Sequence, residues 1–119
     1  MLIVNRNRAK VIITRHGSEI RPLIDRTTGS ITQCSLAEEI LLPGQSVTPH
    51  RHRQIEEIYY ILEGRGSMTV GDETCDVGEG DAVYVPREHR HTLTNTGSEP
   101  LRLLLTCGPA FFYEDEVIS

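Results

Sequence analysis

Two histidines and a pair of glutamates lie close together in the segment PHRHRQIEEIYYILEG, residues 49–64. His50 and His52 are two positions apart, and alternate side chains of a β-strand point to the same face. On a strand, both imidazoles would therefore be close enough to bind one ion. Glu56 and Glu57 follow, and strand alternation alone does not choose between them. The spacing is equally compatible with an ordinary polar pair on the surface of a strand.

The elements that must position these residues are predicted to be short β-strands. Runs of β-branched and apolar residues alternate with Gly, Pro, Asp and Asn, while helical periodicity is hard to find. This pattern predicts an all-β sandwich or barrel. Gly71-Asp72 fits a two-residue type II′ hairpin turn. Residues 15–30 are polar and irregular and are predicted to form a loop or one helical turn. The candidate strands are 10–14, 33–41, 46–52, 58–62, 66–70, 73–77, 82–85, 91–95 and 101–107.

Two of the candidate strands indicate what they pack against. In 101–107, one face carries Leu101, Leu103, Leu105 and Cys107, and we assign that face to the core. In the run IYYIL, residues 58–62, both faces are apolar, which is typical of a strand covered on both sides. We expect one face to meet the barrel interior and the other to meet another sheet or another subunit. The sequence therefore predicts a homodimer.

A second block, GDAVYVPREHRHTLTN at residues 80–95, follows the histidine–glutamate segment. With residues 44–64 it resembles the two motifs of the cupin superfamily, G-x5-H-x-H-x3,4-E-x6-G and G-x5-P-x-G-x2-H-x3-N. Glu88 stands where the second motif has glycine, so it must either adopt a glycine-like positive φ or the turn must take another course. The matching positions are Gly44, His50, His52, Glu57, Gly64, Gly80, Pro86, His91 and Asn95.

The resemblance implies a fold and a metal site. The fold would be one domain over residues 1–119, a cupin double-stranded β-helix with the jelly-roll β-barrel of small RmlC-like proteins. The site would hold one divalent metal inside the barrel on His50, His52, Glu57 and His91. Three imidazoles and a carboxylate suit Fe, Mn, Ni, Co, Cu or Zn, whereas Mg and Ca prefer oxygen ligands. Asn95 belongs to the second motif but is expected to make a turn hydrogen bond.

The leading hypothesis is a metal-dependent enzyme acting on a small oxygen-rich molecule. Four ligands around a six-coordinate ion leave two positions for substrate, or for substrate and O2. A dioxygenase, isomerase or epimerase, lyase or decarboxylase would all be compatible. The candidate catalytic residues are Tyr59, which shares strand parity with Glu57, together with Glu88 and His89. His89 is also considered as a ligand, but a surface loop histidine near the barrel mouth is the stronger interpretation.

Two other functions remain open from the sequence. One is a non-catalytic module that binds or senses a small ligand. The other is a structural zinc site, which would have a closed tetrahedral shell. The enzyme is favoured because all four metal positions are filled. His16 is isolated in the sequence and is interpreted as a surface histidine. The aromatic run Phe111-Phe112-Tyr113 must pack on something, which could be the barrel mouth, a partner subunit or a sheet edge.

The composition argues against several other classes of protein. The 119 residues suit one domain, and the net charge of −5 leaves no basic stripe for nucleic acid. No apolar run is long enough to span a membrane, and the start MLIVNRNRAK does not resemble a signal peptide. We therefore expect a cytoplasmic protein whose partners are small molecules. The three cysteines, Cys34, Cys75 and Cys107, are far apart, which argues against disulfides and thiolate zinc.

Overall fold

A computed structural model describes residues 1–118, which form eleven β-strands and two short 3₁₀-helices. None of the helices in these residues is long and apolar enough to cross a membrane. The helices span Arg6–Arg8 and Tyr113–Asp115. The strands are β1 (Ile12–Ile13), β2 (Glu19–Ile24), β3 (Ser35–Leu41), β4 (His50–His52), β5 (Glu56–Glu63), β6 (Arg65–Val70), β7 (Glu73–Gly78), β8 (Ala82–Val85), β9 (His91–Asn95), β10 (Leu101–Gly108) and β11 (Glu116–Ile118).

The strands form two antiparallel sheets that enclose the core. One sheet has the order β1-β2-β3-β10-β5-β8, and the other has the order β11-β4-β9-β6-β7. Neighbours in these orders are mostly distant in the sequence, as in a jelly roll, where the chain alternates between the sheets. The predicted all-β cupin jelly roll is therefore confirmed.

The core lies between the inner faces of the sheets. On β10 the alternation is strict: Leu101, Leu103, Leu105 and Cys107 are all buried, as predicted. On β5, Tyr59 and Ile61 point inward and are almost fully buried. Burying one such side chain contributes about 1.5–3 kcal/mol, so these strands hold the barrel around the polar residues of β4, β5 and β9.

Two turns that the sequence singled out have backbone conformations with positive φ. Gly71 has φ 59° and joins Val70 to its partner Glu73, which confirms the two-residue hairpin. Glu88 has φ 70°, the one non-glycine residue among 1–118 with a positive φ. Its backbone N–H donates to the carbonyl of His52 at 2.6 Å. Glu88 therefore adopts the glycine-like conformation, and the turn before His91 keeps its course.

Part of residues 15–30 forms a strand, so the prediction of a loop was wrong there. β2 (Glu19–Ile24) pairs with β3 along most of its length. Pro22 argued against a strand because proline cannot donate to a ladder. On its other side β2 meets only the two residues of β1, at Ile20 and Glu19, so Pro22 needs no partner there. Conversely, the candidate strand 46–52 begins only at His50, apart from one bridge between Ser46 and Thr94.

Candidate metal centre

Four polar residues from three strands meet inside the barrel. His50 and His52 come from β4, Glu57 from β5 and His91 from β9. Each offers one ligand atom, and these atoms all lie within 4.8 Å of one another. All four residues are buried, and His91 is completely so. A single ion at the centre of this group would be within reach of every one of them.

Strand pairing explains why these side chains converge. His50 and His91 are direct partners across β4 and β9, and their ring centroids are 4.3 Å apart. His50 and His52 are buried on either side of the outward-facing Arg51. Glu57 lies on the opposite sheet, where it pairs with Cys107 of β10. Three imidazoles from one sheet therefore face one carboxylate from the other.

Backbone carbonyls orient two of the imidazoles. Nδ1 of His50 lies 2.7 Å from the carbonyl of Thr48, and Nδ1 of His91 lies 3.0 Å from the carbonyl of His89. In each ring the carbonyl accepts the Nδ1 proton, which leaves Nε2 as the unprotonated nitrogen. A metal-ligating histidine usually has its other nitrogen held in this way.

Two of the buried atoms in the group that have no hydrogen-bond partner among the described residues face each other. They are Oε1 of Glu57 and Nε2 of His91, which lie 3.3 Å apart. Leaving one buried polar atom unpaired costs about 1–3 kcal/mol, so two of them facing each other need an explanation. A cation bound to both would supply the missing partner. The residues present therefore fit a divalent transition metal.

The environment keeps these donors in the protonation states that a metal requires. Burial, followed by the neighbouring His91, lowers the pKa of His50 to about 4. Burial also lowers the pKa of His52. Burial alone would raise the pKa of Glu57, but the three adjacent histidines, His91 foremost, together outweigh it and the net shift is downward. At neutral pH His50 and His52 therefore offer neutral imidazoles, and Glu57 offers an ionised carboxylate.

Asp115 supports the centre from the C-terminal 3₁₀-helix, and sequence reasoning did not identify it. Its buried carboxylate accepts hydrogen bonds from the backbone N–H groups of Gln54 (2.9 and 3.0 Å) and Ile55 (2.9 Å). Its Oδ2 lies 3.9 Å from Nδ1 of His52, a buried nitrogen with no hydrogen-bond partner in residues 1–118. Asp115 thus secures the turn after β4 and faces the outer nitrogen of a candidate ligand.

A cavity of about 390 Å³ opens beside the four residues. Glu116 of β11 lines it, with Oε1 3.8 Å from Nε2 of His50 and Oε2 in an ion pair with Arg15 at 3.0 Å. The sequence offered no signal for this carboxylate, because it lies outside both motifs on a three-residue strand. It reaches the centre because Glu116 pairs with His52 across β11 and β4.

His16 lines the same cavity, so the interpretation as a surface histidine was wrong. The backbone N–H of Thr48 donates to its Nδ1 at 3.2 Å, so its protonated Nε2 donates to Oε2 of Glu39 at 2.8 Å. Glu39 is buried and also accepts a hydrogen bond from the hydroxyl of Ser18. The carbonyl of Thr48 therefore accepts from His50, while its backbone N–H donates to His16. Thr48 thus links the four-residue cluster to the polar group formed by His16 and Glu39.

Of the three candidate catalytic residues, Tyr59 alone borders the cavity in the described part of the chain. Burial raises the pKa of Tyr59 well above its ordinary value, so its hydroxyl keeps its proton and can donate. Glu88 is exposed, and its carboxylate accepts from Arg51 at 3.0 Å. His89 is also exposed, and its Nδ1 lies 3.1 Å from the carbonyl of Arg87.

The aromatic run near the C-terminus closes the cavity. Phe111, Phe112 and Tyr113 all line it, so within the described chain the run packs at the first of the three places that the sequence left open. Phe111 lies edge-on to His52, with ring centroids 6.1 Å apart. The predicted role of Asn95 is confirmed as well: its amide donates to the carbonyls of Leu41 and Glu99 at 2.9 and 2.8 Å.

Comparison with known proteins agrees with this fold. A family model described as a cupin domain matches residues 37–107. The chain belongs to the cupin family. An uncharacterized protein of Methanocaldococcus jannaschii is 40% identical over 112 residues, which cover 94% of this chain and 90% of that protein.

Two solved cupin structures illustrate the similarity. The polyketide cyclase RemF from Streptomyces resistomycificus is 29% identical, with a TM-score of 0.77 over 97% of this chain and 89% of that one. A predicted oxalate decarboxylase from Thermotoga maritima is 25% identical, with a TM-score of 0.79 over 91% of this chain and 99% of that one.

Proposed function

We propose that this cupin is a metal-dependent enzyme that acts on a small molecule through neighbouring oxygen atoms. One divalent transition metal, Fe, Mn, Ni, Co, Cu or Zn, would be held by His50, His52, Glu57 and His91 in a domain spanning residues 1–119. The observation that carries the proposal is the unpaired Oε1 of Glu57 facing the unpaired Nε2 of His91 in a buried site. The cavity of about 390 Å³ is lined by His50, His52 and Glu57 and gives a substrate access to that side of the cluster.

The bound metal would supply Lewis-acid polarisation of substrate oxygens. The chain itself would supply the other parts of the chemistry. Tyr59 keeps its proton and would donate a hydrogen bond to a substrate oxygen. Glu116 holds a carboxylate oxygen 3.8 Å from His50 and would accept one. Phe111 and its aromatic neighbours would exclude water from the cavity.

The similar structures support chemistry of this general kind. One is named as a polyketide cyclase and the other as a predicted oxalate decarboxylase, and both polyketides and oxalate carry several oxygens. For this chain the proposal extends to a reaction of the isomerase, lyase, decarboxylase or dioxygenase type. These reactions share a substrate that presents oxygen atoms to a metal.

Metal analysis tests the proposal. Protein purified without chelator, or reconstituted with each of the six metals, is expected to hold about one ion per chain. His50→Ala and His52→Ala should lose it, whereas His89→Ala should keep it because that side chain is exposed outside the cluster. Wild-type protein that stays metal-free after reconstitution would refute the site. Turnover of a substrate panel, with an oxygen-uptake readout, then separates an enzyme from a binding module.

We also propose that two copies associate through the outer face of β5 and β8. Ile58, Tyr60 and Tyr84 are about half exposed there, and Ile58 pairs directly with Tyr84. Three large apolar side chains side by side favour burial against a second copy.

We propose a cytoplasmic location on the basis of cysteine chemistry. Cys34 and Cys75 are free thiols on the surface, and exposed thiols persist best in a reducing compartment. Cell fractionation is expected to find the protein with cytoplasmic markers, and recovery from the medium would contradict this.

A further inference from the structure

The wall of the cavity beyond the four clustered residues is largely apolar. Aliphatic side chains form one side, and the aromatic run at residues 111–113 forms another. Such a wall cannot accept or donate hydrogen bonds, so a hydroxyl group pressed against it would lose its water without gaining a partner. The aliphatic members are Ile12, Ile20, Pro22, Leu36, Val47 and Leu105.

The aromatic side continues from the cluster to the mouth. Phe111 lies edge-on to His52 at 6.1 Å and edge-on to Tyr113 at 5.2 Å. Phe112 follows, with the guanidinium of Arg26 5.0 Å from its ring centroid. A flat ring entering the cavity would meet ring faces and edges in the arrangements that aromatic pairs prefer.

Several polar groups on this wall are already hydrogen-bonded to other protein groups. Glu39 is bound to His16 and Ser18. Glu116 is paired with Arg15, and the Nε of Arg26 donates to a backbone carbonyl at 3.0 Å. A polyol with hydroxyl groups on several sides would have to compete with these bonds. A site whose free polar partners lie only beside the cluster, as Tyr59 and Glu116 do, discriminates against such a molecule.

Charge on the wall disfavours anions. Five carboxylates face two guanidiniums across the cavity, and both the Arg15 and Arg26 side chains are already bound to protein groups. A divalent ion at the cluster would still leave the carboxylates in excess. An added carboxylate or phosphate on a substrate would therefore be repelled. The five are Asp25, Glu39, Glu57, Glu114 and Glu116.

We infer that the substrate is a neutral, flat, largely apolar molecule, such as an aromatic ring, with two neighbouring oxygens on one edge. The ring would lie along the Phe111 side, and the oxygens would point at the His50–His91 cluster. Polyols and anions such as sugar phosphates would be excluded. This inference rests on the proposed function, and it narrows the substrate class of that same site. Of the proposed reaction types it retains the dioxygenase, isomerase and lyase types and excludes decarboxylation of an anionic substrate.

Binding of matched small probes tests the inference in the metal-loaded protein, with metal content checked before and after each titration. Catechol is neutral and flat with two adjacent oxygens. 3,4-Dihydroxybenzoate has the same ring and oxygens plus one carboxylate, and methyl riboside is a neutral polyol. Calorimetric dissociation constants are expected to be at least tenfold lower for catechol than for either comparison. Equal or reversed affinities, or no catechol binding at millimolar concentration, would overturn the inference.

The metal-free protein separates this inference from the proposed function. The wall and its carboxylates belong to the chain, so the same ranking should persist without metal, although each probe binds more weakly. Protein that takes up no metal but keeps the ranking would refute the proposed metal site and leave the cavity preference standing. Protein that holds its metal but prefers the riboside or the benzoate would refute the preference alone.

Two variants assign the preference to the named residues. Phe111→Ala is expected to weaken catechol binding about tenfold without changing the metal content. Leu42 is an exposed apolar residue away from the cavity, so Leu42→Ala should leave catechol binding unchanged. Glu116→Gln removes a negative charge and frees Arg15. The dissociation constants of catechol and 3,4-dihydroxybenzoate should therefore become more similar. Unchanged catechol affinity in Phe111→Ala would contradict the role of the aromatic side.

Discussion

At the scale of single residues, the two oxygens of Glu57 have different surroundings. Oε2 lies 3.5 Å from the sulfur of Cys107, whose thiol donates to it. Burial raises the pKa of Cys107, so the thiol keeps the proton that it donates. Oε1 has no such partner and faces the imidazoles of His91 and His52 at 3.3 and 3.6 Å. The thiol thus holds one oxygen while the other is presented to the cluster.

Glu57→Gln is therefore expected to weaken metal binding strongly. Loss of a residue that only hydrogen-bonds to a ligand typically lowers the affinity 10- to 100-fold, and we expect the loss of a ligand to exceed this. The amide removes the charge and can direct its NH2 group at the ion. Glu56→Gln is the matched control, since Glu56 is exposed and accepts from the hydroxyl of Tyr84 at 2.7 Å. Competition against a chromophoric chelator measures both affinities. Loss of affinity in Glu56→Gln but not in Glu57→Gln would reverse the assignment.

Asp115 gives a second prediction at this scale. Asp115→Asn replaces one of the two oxygens that hold Gln54 and Ile55 and removes the charge facing Nδ1 of His52. We expect metal affinity to fall about tenfold and the free energy of unfolding to fall by about 1–2 kcal/mol. Urea titrations and metal competition measure the two effects. The exposed loop variant Asp72→Asn should change neither, and full metal affinity in Asp115→Asn would show that His52 does not depend on it.

The residues that sequence reasoning missed share one property. The resemblance of residues 44–64 and 80–95 to the two cupin motifs implied the four side chains that the fold brings together, whereas strand periodicity alone showed only that His50 and His52 share a face. Asp115 and Glu116 lie sixty or more positions beyond β4, and His16 lies more than thirty before it. Their places depend on long-range pairing, such as that of β11 with β4. Local patterns carry no record of such pairing.

At the scale of elements, most strands were predictable and two were not. The long strands have alternating burial that follows from their apolar pattern, as β10 illustrates. β2 was hidden by Pro22 and by the charged residues Glu19 and Arg21, and its pairing with β3 shows that tertiary contact overrides local preference. β11 has only three residues, too few for a period of two to be visible.

The turn after β5 supplies a prediction for an element boundary. Gly64 has φ +88°, and a Cβ there would meet the carbonyl oxygen of Pro100 at 2.8 Å and Cα of Leu101 at 3.0 Å. Gly64→Ala therefore combines backbone strain with a clash against backbone, and should reduce the free energy of unfolding by about 2–4 kcal/mol.

Gly44→Ala separates the two causes. Gly44 has a similar φ of +84°, but nothing lies within 4 Å of a Cβ at that position. The free energy of unfolding of Gly44→Ala should therefore fall only by the cost of the strained backbone conformation, about 1–2 kcal/mol. Urea midpoints of the two variants give the difference. Equal losses would mean that the approach of Pro100 to the turn contributes nothing.

At the scale of the whole molecule, the two faces of β5 have separate roles. Tyr59 and Ile61 point into the barrel and are almost fully buried, whereas Ile58 and Tyr60 remain 43% and 41% exposed. The sequence predicted cover on both faces of this strand. Within a single chain the inner face alone is covered, and the outer face is continuous with Tyr84 of β8.

Light scattering tests whether a second copy covers that outer face. At micromolar concentration the wild-type protein is expected at twice the chain mass of 13.4 kDa. Tyr60→Arg places a charge at the centre of the contact, where burial without a partner is costly, and should give a monomer that still binds metal, because Tyr60 points away from the cavity. Leu42→Arg, at an exposed apolar residue on another part of the surface, should remain dimeric. A monomeric wild type would refute the dimer, and a dimeric Tyr60→Arg would move the interface to another face.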